Sequence, residues 1–200
     1  MPVITSIKPQ KNKKRVNIYL DGKFGFGLDL ENFVKSSLKV GKDLSDEEII
    51  KITKKGEYQK ALDRLLLFTS LRPRSEKEVN DWMQRKKIGD DVKRTLIEKV
   101  RKLDLLDDKK FAKWWVEQRL AFKNKSLKDL NYELLNKGID KEIIKKILSE
   151  AGIDEERIAL KLLEKKGYRW NGLRKLDRKR KISEFLARKG FRWSVIKKVV

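Results

Sequence analysis

Apolar positions along the chain follow two periods. Residues 2 to 8 and 15 to 20 alternate polar and apolar side chains, with Val16, Ile18 and Leu20 on one face, and Asp21-Gly22 stands where a tight hairpin turn needs positive φ. Phe24-Gly25-Phe26-Gly27-Leu28 is expected to be the return strand, with Phe24, Phe26 and Leu28 filling one face and the glycines admitting close packing on the other. A phosphate-cradling loop would place its glycines between a strand and a helix, whereas these alternate within a strand pattern. From Asp29 the period becomes helical through Leu30, Phe33 and Val34, with Gly41 as a stop. Ser45-Asp46-Glu47-Glu48 is a capping box that starts another helix, with Ile49, Ile50 and Ile52 inward.

Beyond this point the pattern repeats. Ser75 to Ile88 returns fifty-one residues later as Ser126 to Ile139, with Val79 over Leu130, Met83 over Leu134, Lys86 over Lys137 and Ile88 over Ile139. A looser third copy, Arg178 to Phe191, places Ile182, Leu186, Lys189, Gly190 and Phe191 in the same columns. Each copy reads as three helices. The first copy begins around Glu57 with Ala61, Leu62, Leu65, Leu66 and Phe68 as a buried stripe, and breaks near Arg72-Pro73. A second capping box, Ser75 to Glu78, starts its middle helix with Val79, Trp82 and Met83 inward, and Gly89-Asp90-Asp91 opens its third. The pattern predicts a mainly α fold: an elongated array of three tandem three-helix repeats after a small N-terminal β-hairpin plus helix extension. Its expected divisions are 1–56, which caps the array, then 57–106, 107–152 and 153–200.

Composition agrees with a thin array more than with one thick core, since 39% of residues are hydrophobic and 41% charged. Lys and Arg total 52 against 30 acids, a formal charge of +22, so the expected partner is a polyanion or something bound to one. No apolar run approaches the roughly 18 residues that span a bilayer, and no signal peptide pattern opens the sequence, so a cytoplasmic protein without a membrane partner is expected. The chain has no Cys and no His, which removes disulfides, thiolate metal sites and the commonest general base. Asp90-Asp91 and Asp107-Asp108 read as helix caps rather than cation ligands, because neighbouring side chains at a helix start diverge. No nucleophile-base pair, phosphate loop or zincin pair is present, so neither catalysis nor a cofactor or metal is expected.

The basic residues are uneven: positions 161 to 200 hold fifteen Lys or Arg against three acids. The densest run, Arg178-Lys179-Arg180-Lys181, is expected to start a helix, where cations oppose the dipole unless an anion offsets them. A second strip, Lys11 to Arg15, sits in the hairpin turn, where an isolated chain is expected to be mobile. Of the five Trp residues, Trp82, Trp193 and one of Trp114 or Trp115 are assigned to the core. Trp170, in the long link of the third copy beside Arg169 and Arg174, is the candidate for stacking on a base.

Several of these clusters together resemble the RecX family of recombination regulators: Arg72-Pro73-Arg74-Ser75 with Glu78, Leu103 with Leu106-Asp107-Asp108, Phe111-Ala112, then Arg119, Leu134 and Lys137-Gly138-Ile139. The likeness spans about residues 57 to 200, and the hairpin resembles the extension of longer members. Asp104 and Lys87 depart from it, standing where Gly is common. The resemblance implies a monomeric, non-catalytic, curved array lying in the groove of a RecA filament on single-stranded DNA, slowing ATP turnover and strand exchange, with direct DNA contact as a further possibility. Arg72, Arg74, Lys86, Arg119, Lys125, Lys137 and Lys189 recur near the same place in successive repeats and are expected to line the contact face. Trp170 and the run from Arg178 to Lys181 join them as candidates. The alternative is a basic helical-repeat protein that binds DNA or RNA alone.

Overall fold

The computed structural model describes residues 1–11 and 13–200; position 12, within the Lys11 to Arg15 strip, lies outside them. The chain divides into two compact units, Met1–Leu71 with Lys87–Lys99, and Arg72–Lys86 with Val100–Val200.

The first unit is built on a three-stranded antiparallel sheet, β1 (Ile4–Pro9), β2 (Arg15–Leu20) and β3 (Lys23–Asp29), in sequence order. Alternation works as expected for Ile4, Val16, Ile18, Phe26 and Leu28, which are buried together with Leu38 and Leu44. Phe24 departs from the expected face. The register shifts between Ile18 and Tyr19, so Tyr19 pairs with Phe24 and Gly25 is skipped. Such a bulge breaks the period of two, and Phe24 emerges 60% exposed with its ring edge-on to Tyr19 at 6.1 Å.

The first helix, α1 (Leu30–Lys35), is shorter than expected and turned over: Asp29 caps it and Asn32 is buried, while Leu30 and Val34 face solvent. Asp29 accepts from both the amide and the side chain of Asn32. Two expected helices then prove to be one. α2 (Asp46–Ser70) starts at the Ser45 capping box, both of whose hydrogen bonds form, and runs unbroken past Glu57. Gly56 does not stop it, because a helical glycine costs only about 1 kcal/mol. Gly56 serves another purpose: a Cβ there would stand 2.8 Å from Leu28 Cδ1 and 3.3 Å from the Gly27 carbonyl. The missing side chain lets the helix approach β3. Of the three isoleucines expected inward, Ile50 is exposed, and Ile49 and Ile52 pack on the sheet core.

The second unit contains the repeating part: α3 (Glu76–Arg85), α5 (Asp108–Lys123), α6 (Leu127–Asn136), α7 (Lys141–Glu150), α8 (Glu155–Lys166), a 3-10 turn Gly167–Trp170, α9 (Lys175–Arg188) and α10 (Trp193–Val199). The remaining helix, α4 (Asp90–Lys102), begins in the first unit and ends in the second. In this unit Phe111, Trp115, Val116, Leu130, Leu134, Ile139 and Ile144 form one core, Ala159, Trp170, Phe185, Leu186, Phe191 and Ile196 form another, and Val79, Trp82, Met83, Val100 and Leu106 are buried as well.

The middle helices α3, α6 and α9 end alike. Lys86, Lys137 and Lys189 are their C-caps with nearly equal backbone angles, and the next residue has positive φ. In α6 the Ile139 amide donates to Leu134 and the Gly138 amide to Leu135; in α9 Phe191 and Gly190 donate to Leu186 and Ala187. This paired return is a Schellman termination, with an apolar residue following the left-handed one. The repeated Lys-Gly-apolar column is therefore first a stop signal.

The same helices meet end to start. Lys77 of α3 donates to the Asn136 carbonyl at the end of α6, and a Cβ on Gly138 would stand 2.8 Å from Lys77 Cβ. One repeat later, Ser126 at the start of α6 donates its hydroxyl to the Lys189 carbonyl, and a Cβ on Gly190 would stand 2.7 Å from Ser126 Oγ. An acid from the following repeat completes each start: Asp108 accepts from the Glu76 amide at 2.8 Å, and Glu155 accepts from the Leu127 amide at 2.9 Å. Successive copies thus dock by one recurring rule, in which free amides of one helix find partners in the next copy.

Candidate functional site

The predicted contact residues divide into two groups. Four of them, Arg72, Arg119, Lys125 and Lys137, form two ion-pair clusters, one on Glu78 and one on Glu133, that meet at the Trp115 ring and together make one network with two tryptophans. α5 supplies Trp114, Trp115 and Arg119, the start and end of α6 supply Asp129, Glu133 and Lys137, and α3 supplies Glu78. Arg72 grips Glu78 through two hydrogen bonds of 2.9 and 3.1 Å, and Lys137 reaches the same carboxylate at 2.6 Å. Arg119 Nε and Trp115 Nε1 both donate to Glu133 Oε2, at 2.6 and 2.9 Å. Lys125 bridges Glu133 and Asp129 at 3.0 and 3.2 Å. The aromatic rings complete the cage: Arg119 lies 3.9 Å and Lys137 4.9 Å from the Trp115 centroid, and Arg72 5.5 Å from that of Trp114.

The second expected capping box is consequently only half formed. Ser75 accepts from the Glu78 amide, but the Glu78 carboxylate turns to Arg72 and Lys137. Burial pushes Glu78 upward, yet the hydrogen bonds from Arg72 and Lys137 outweigh it and hold the carboxyl below its ordinary 4.5. Glu133 behaves alike, with Arg119, Lys125 and Trp115 overcoming burial. Lys125 is raised, because its bonds to Glu133 and Asp129 outweigh its own desolvation. Arg74 lies half-buried beside Arg72, and burial first, then the neighbouring guanidinium, lowers its pKa. A network of this kind fixes the relation of three helices. It also occupies the cations that were expected to be available.

The other group is exposed. Lys86 and Lys189 project from helix ends, with Lys189 6.0 Å from the Phe185 ring centroid. The basic run begins one turn later than expected: α9 starts at Lys175, so Arg178 to Lys181 lie beyond its first turn and the argument from the dipole loses force. Asp177 and Glu184 sit 3.6 and 3.9 Å from Arg180, and Glu184 3.9 Å from Lys181. Arg178 and Lys179 make no ion pair among the described residues.

Two tryptophans exchange roles. Trp170 is buried, its ring packed at 5.2 Å against Phe185, so it has no free face for a base. The short 3-10 turn rotates it inward. Trp193, assigned to the core, is 57% exposed at the start of α10, where Val195 and Ile196 take the buried positions instead. Sequence reasoning read Glu78 and Asp108 only as local helix caps, and it missed Glu133 and the junction acid Glu155. Their partners lie from 6 to 59 residues away, outside any helical period, and only the Ser75 and Ser126 columns hinted at a shared helix start.

Comparison with known proteins gives a consistent result. Residues 2–45 match the family model of the regulatory protein RecX N-terminal domain, 107–148 the second RecX three-helix domain and 154–200 the third. "Regulatory protein RecX" of Bacillus subtilis is 40% identical over 167 residues, 82% of this chain and 63% of that protein. Its namesake from Listeria innocua is 32% identical over 152 residues, 76% of this chain and 56% of that protein. The chain thus spans less than two thirds of the length of these curated relatives. A crystal structure of regulatory protein RecX superimposes with a TM-score of 0.73 at 26% identity, covering 100% of this chain and 98% of that one. The crystal structure of RecX from Lactobacillus salivarius gives 0.64 at 28%, covering 72% and 94%.

Proposed function

Because the chain belongs to the RecX family of regulatory proteins, we propose that it is a non-catalytic regulator of the RecA recombinase. It docks on the RecA filament formed on single-stranded DNA and slows ATP turnover and strand exchange, acting as a monomer in the cytoplasm. The observation that carries this reading is the recurring junction within the second unit, in which the middle helices α3 and α6 are each completed by the next copy. Repeats joined by one rule present successive, similarly placed surfaces, which suits a partner that is itself a repeating polymer. The cations split accordingly: the Arg72, Arg119, Lys125 and Lys137 network holds the repeats in register, while Lys86, Arg178, Lys179 and Lys189 are free to meet the partner. Arg74, Arg180 and Lys181 flank these groups.

Purified protein added at a stoichiometric ratio to RecA is expected to reduce both DNA-dependent ATP hydrolysis and strand exchange; unchanged rates in both assays overturn the reading. The unpaired Arg178 and Lys179 favour a second reading, direct binding to bare nucleic acid. If binding neutralises six or more phosphates, affinity falls by about a thousandfold between about 50 and 200 mM salt. Filament binding that survives this range distinguishes the first reading from the second.

A further inference from the structure

Apart from the ion-pair network, the second unit has a cleft whose charge is unbalanced. Leu127, Lys128 and Asn131 of α6, Lys145 and Ser149 of α7, and Arg192 just before α10 line a space of about 530 Å³. No carboxylate lines it, and among the described residues Lys128, Lys145 and Arg192 form no ion pair. Elsewhere in the unit, by contrast, Arg72, Arg119, Lys125 and Lys137 are each held by an acid. Glu155 adjoins the cleft through the Leu127 amide, but it is buried and its Oε1 is taken by that amide.

Three cations from three elements that share one space repel one another, and an anion among them relieves the repulsion. The Asn131 amide adds neutral donors. The volume lies within the roughly 300–1,000 Å³ of small-ligand sites. The residue after Arg192 is the exposed Trp193, an indole that the fold leaves uncovered. Trp193 does not line the cleft and is tied to it through its chain neighbour Arg192; an exposed ring that can stack on a base, together with cations that can hold a phosphate, is the combination with which proteins bind single strands.

We propose that this cleft is a phosphodiester site for single-stranded nucleic acid, with the phosphate held by Lys128, Lys145 and Arg192 and a base stacked on Trp193. The proposal depends on the filament reading only for the source of the strand.

The test uses the full chain and a fluorescein-labelled oligothymidylate, followed by anisotropy across a salt series. Lys128→Gln/Lys145→Gln/Arg192→Gln is expected to weaken binding at least tenfold at low salt and to reduce the log-log salt slope by about 0.7, the share of one phosphate contact on a single strand. A control with equal charge loss on the first unit, Lys39→Gln/Lys51→Gln/Lys99→Gln, is expected to lose less than threefold. Trp193→Ala is expected to weaken the single strand about 5- to 150-fold and to leave duplex DNA nearly unaffected. Circular dichroism checks that each variant folds. Binding of the site triple within twofold of wild type, or equal losses in site and control triples, overturns the proposal. Equal losses for duplex and single strand in Trp193→Ala overturn its stacking part. RecA assays without effect, combined with oligonucleotide binding that depends on the cleft, would reject the filament reading and leave this site standing.

Discussion

Glu78 shows how much one side chain can decide in a cation-rich protein. It is 14% exposed and answers both Arg72 and Lys137, so its loss leaves two partly buried cations without their anion. Glu78→Gln is expected to destabilise the protein by about 1–3 kcal/mol in chemical denaturation, with Lys86→Gln as a near-neutral comparison. The network also sets an acid limit. Glu78 and Glu133 are held below 4.5 in the folded protein, so their contribution is complete above that pH and is lost as pH falls through the folded values. Asp108 acts in the opposite sense, since burial raises it: its share is complete below 3.8 and declines as pH rises. The double variant Glu78→Gln/Glu133→Gln is expected to lose much of the fall in Tm between pH 5 and 3 that the parent shows.

At the level of the element, the repeated middle helix was visible in the sequence because its signals are local. Ser75 and Ser126 at the start, apolar residues at helical spacing and a Lys column at the end all lie within fourteen residues, and α3 and α6 form at those places, while α9, without the Ser, starts at Lys175, three residues before its copy. Signals that depend on another element were not visible. The role of Gly56 depends on β3 packed against it, the bulge at Gly25 turns Phe24 outward, and the fates of Trp170 and Trp193 follow from a 3-10 turn and a seven-residue helix. The contact columns were recognised, but recurrence alone could not tell a tethered Lys137 from an exposed Lys86. Glycine at Gly138 has two separable reasons, its φ of +78° and the nearness of Lys77. Gly152 has positive φ with nothing within 4 Å. Gly152→Ala should therefore cost about 1–2 kcal/mol for the left-handed backbone alone, and Gly138→Ala should cost more in the same unfolding assay.

For the whole molecule, the consequence lies in how copies depend on one another. Repeat arrays derive stability from neighbour interfaces as well as from each unit. The Leu127 amide and the Ser126 hydroxyl find their partners at Glu155 and Lys189 in the following copy. Glu155→Ala is expected to speed hydrogen exchange in the first turn of α6, measured by mass spectrometry on peptides, while the first turn of α2, capped by its own Ser45 and Glu48, keeps its protection. Equal protection of α6 in parent and variant would show that the acid adds nothing to the junction.

These junctions also give the fold a direction in time. A ribosome delivers Ser75 before Asp108, and Ser126 before Glu155 and Lys189, so α3 and α6 emerge with their first turns incomplete and wait for residues not yet made. Maturation of this part of the protein therefore runs backwards along the chain, with the first and second copies each secured by the one that follows.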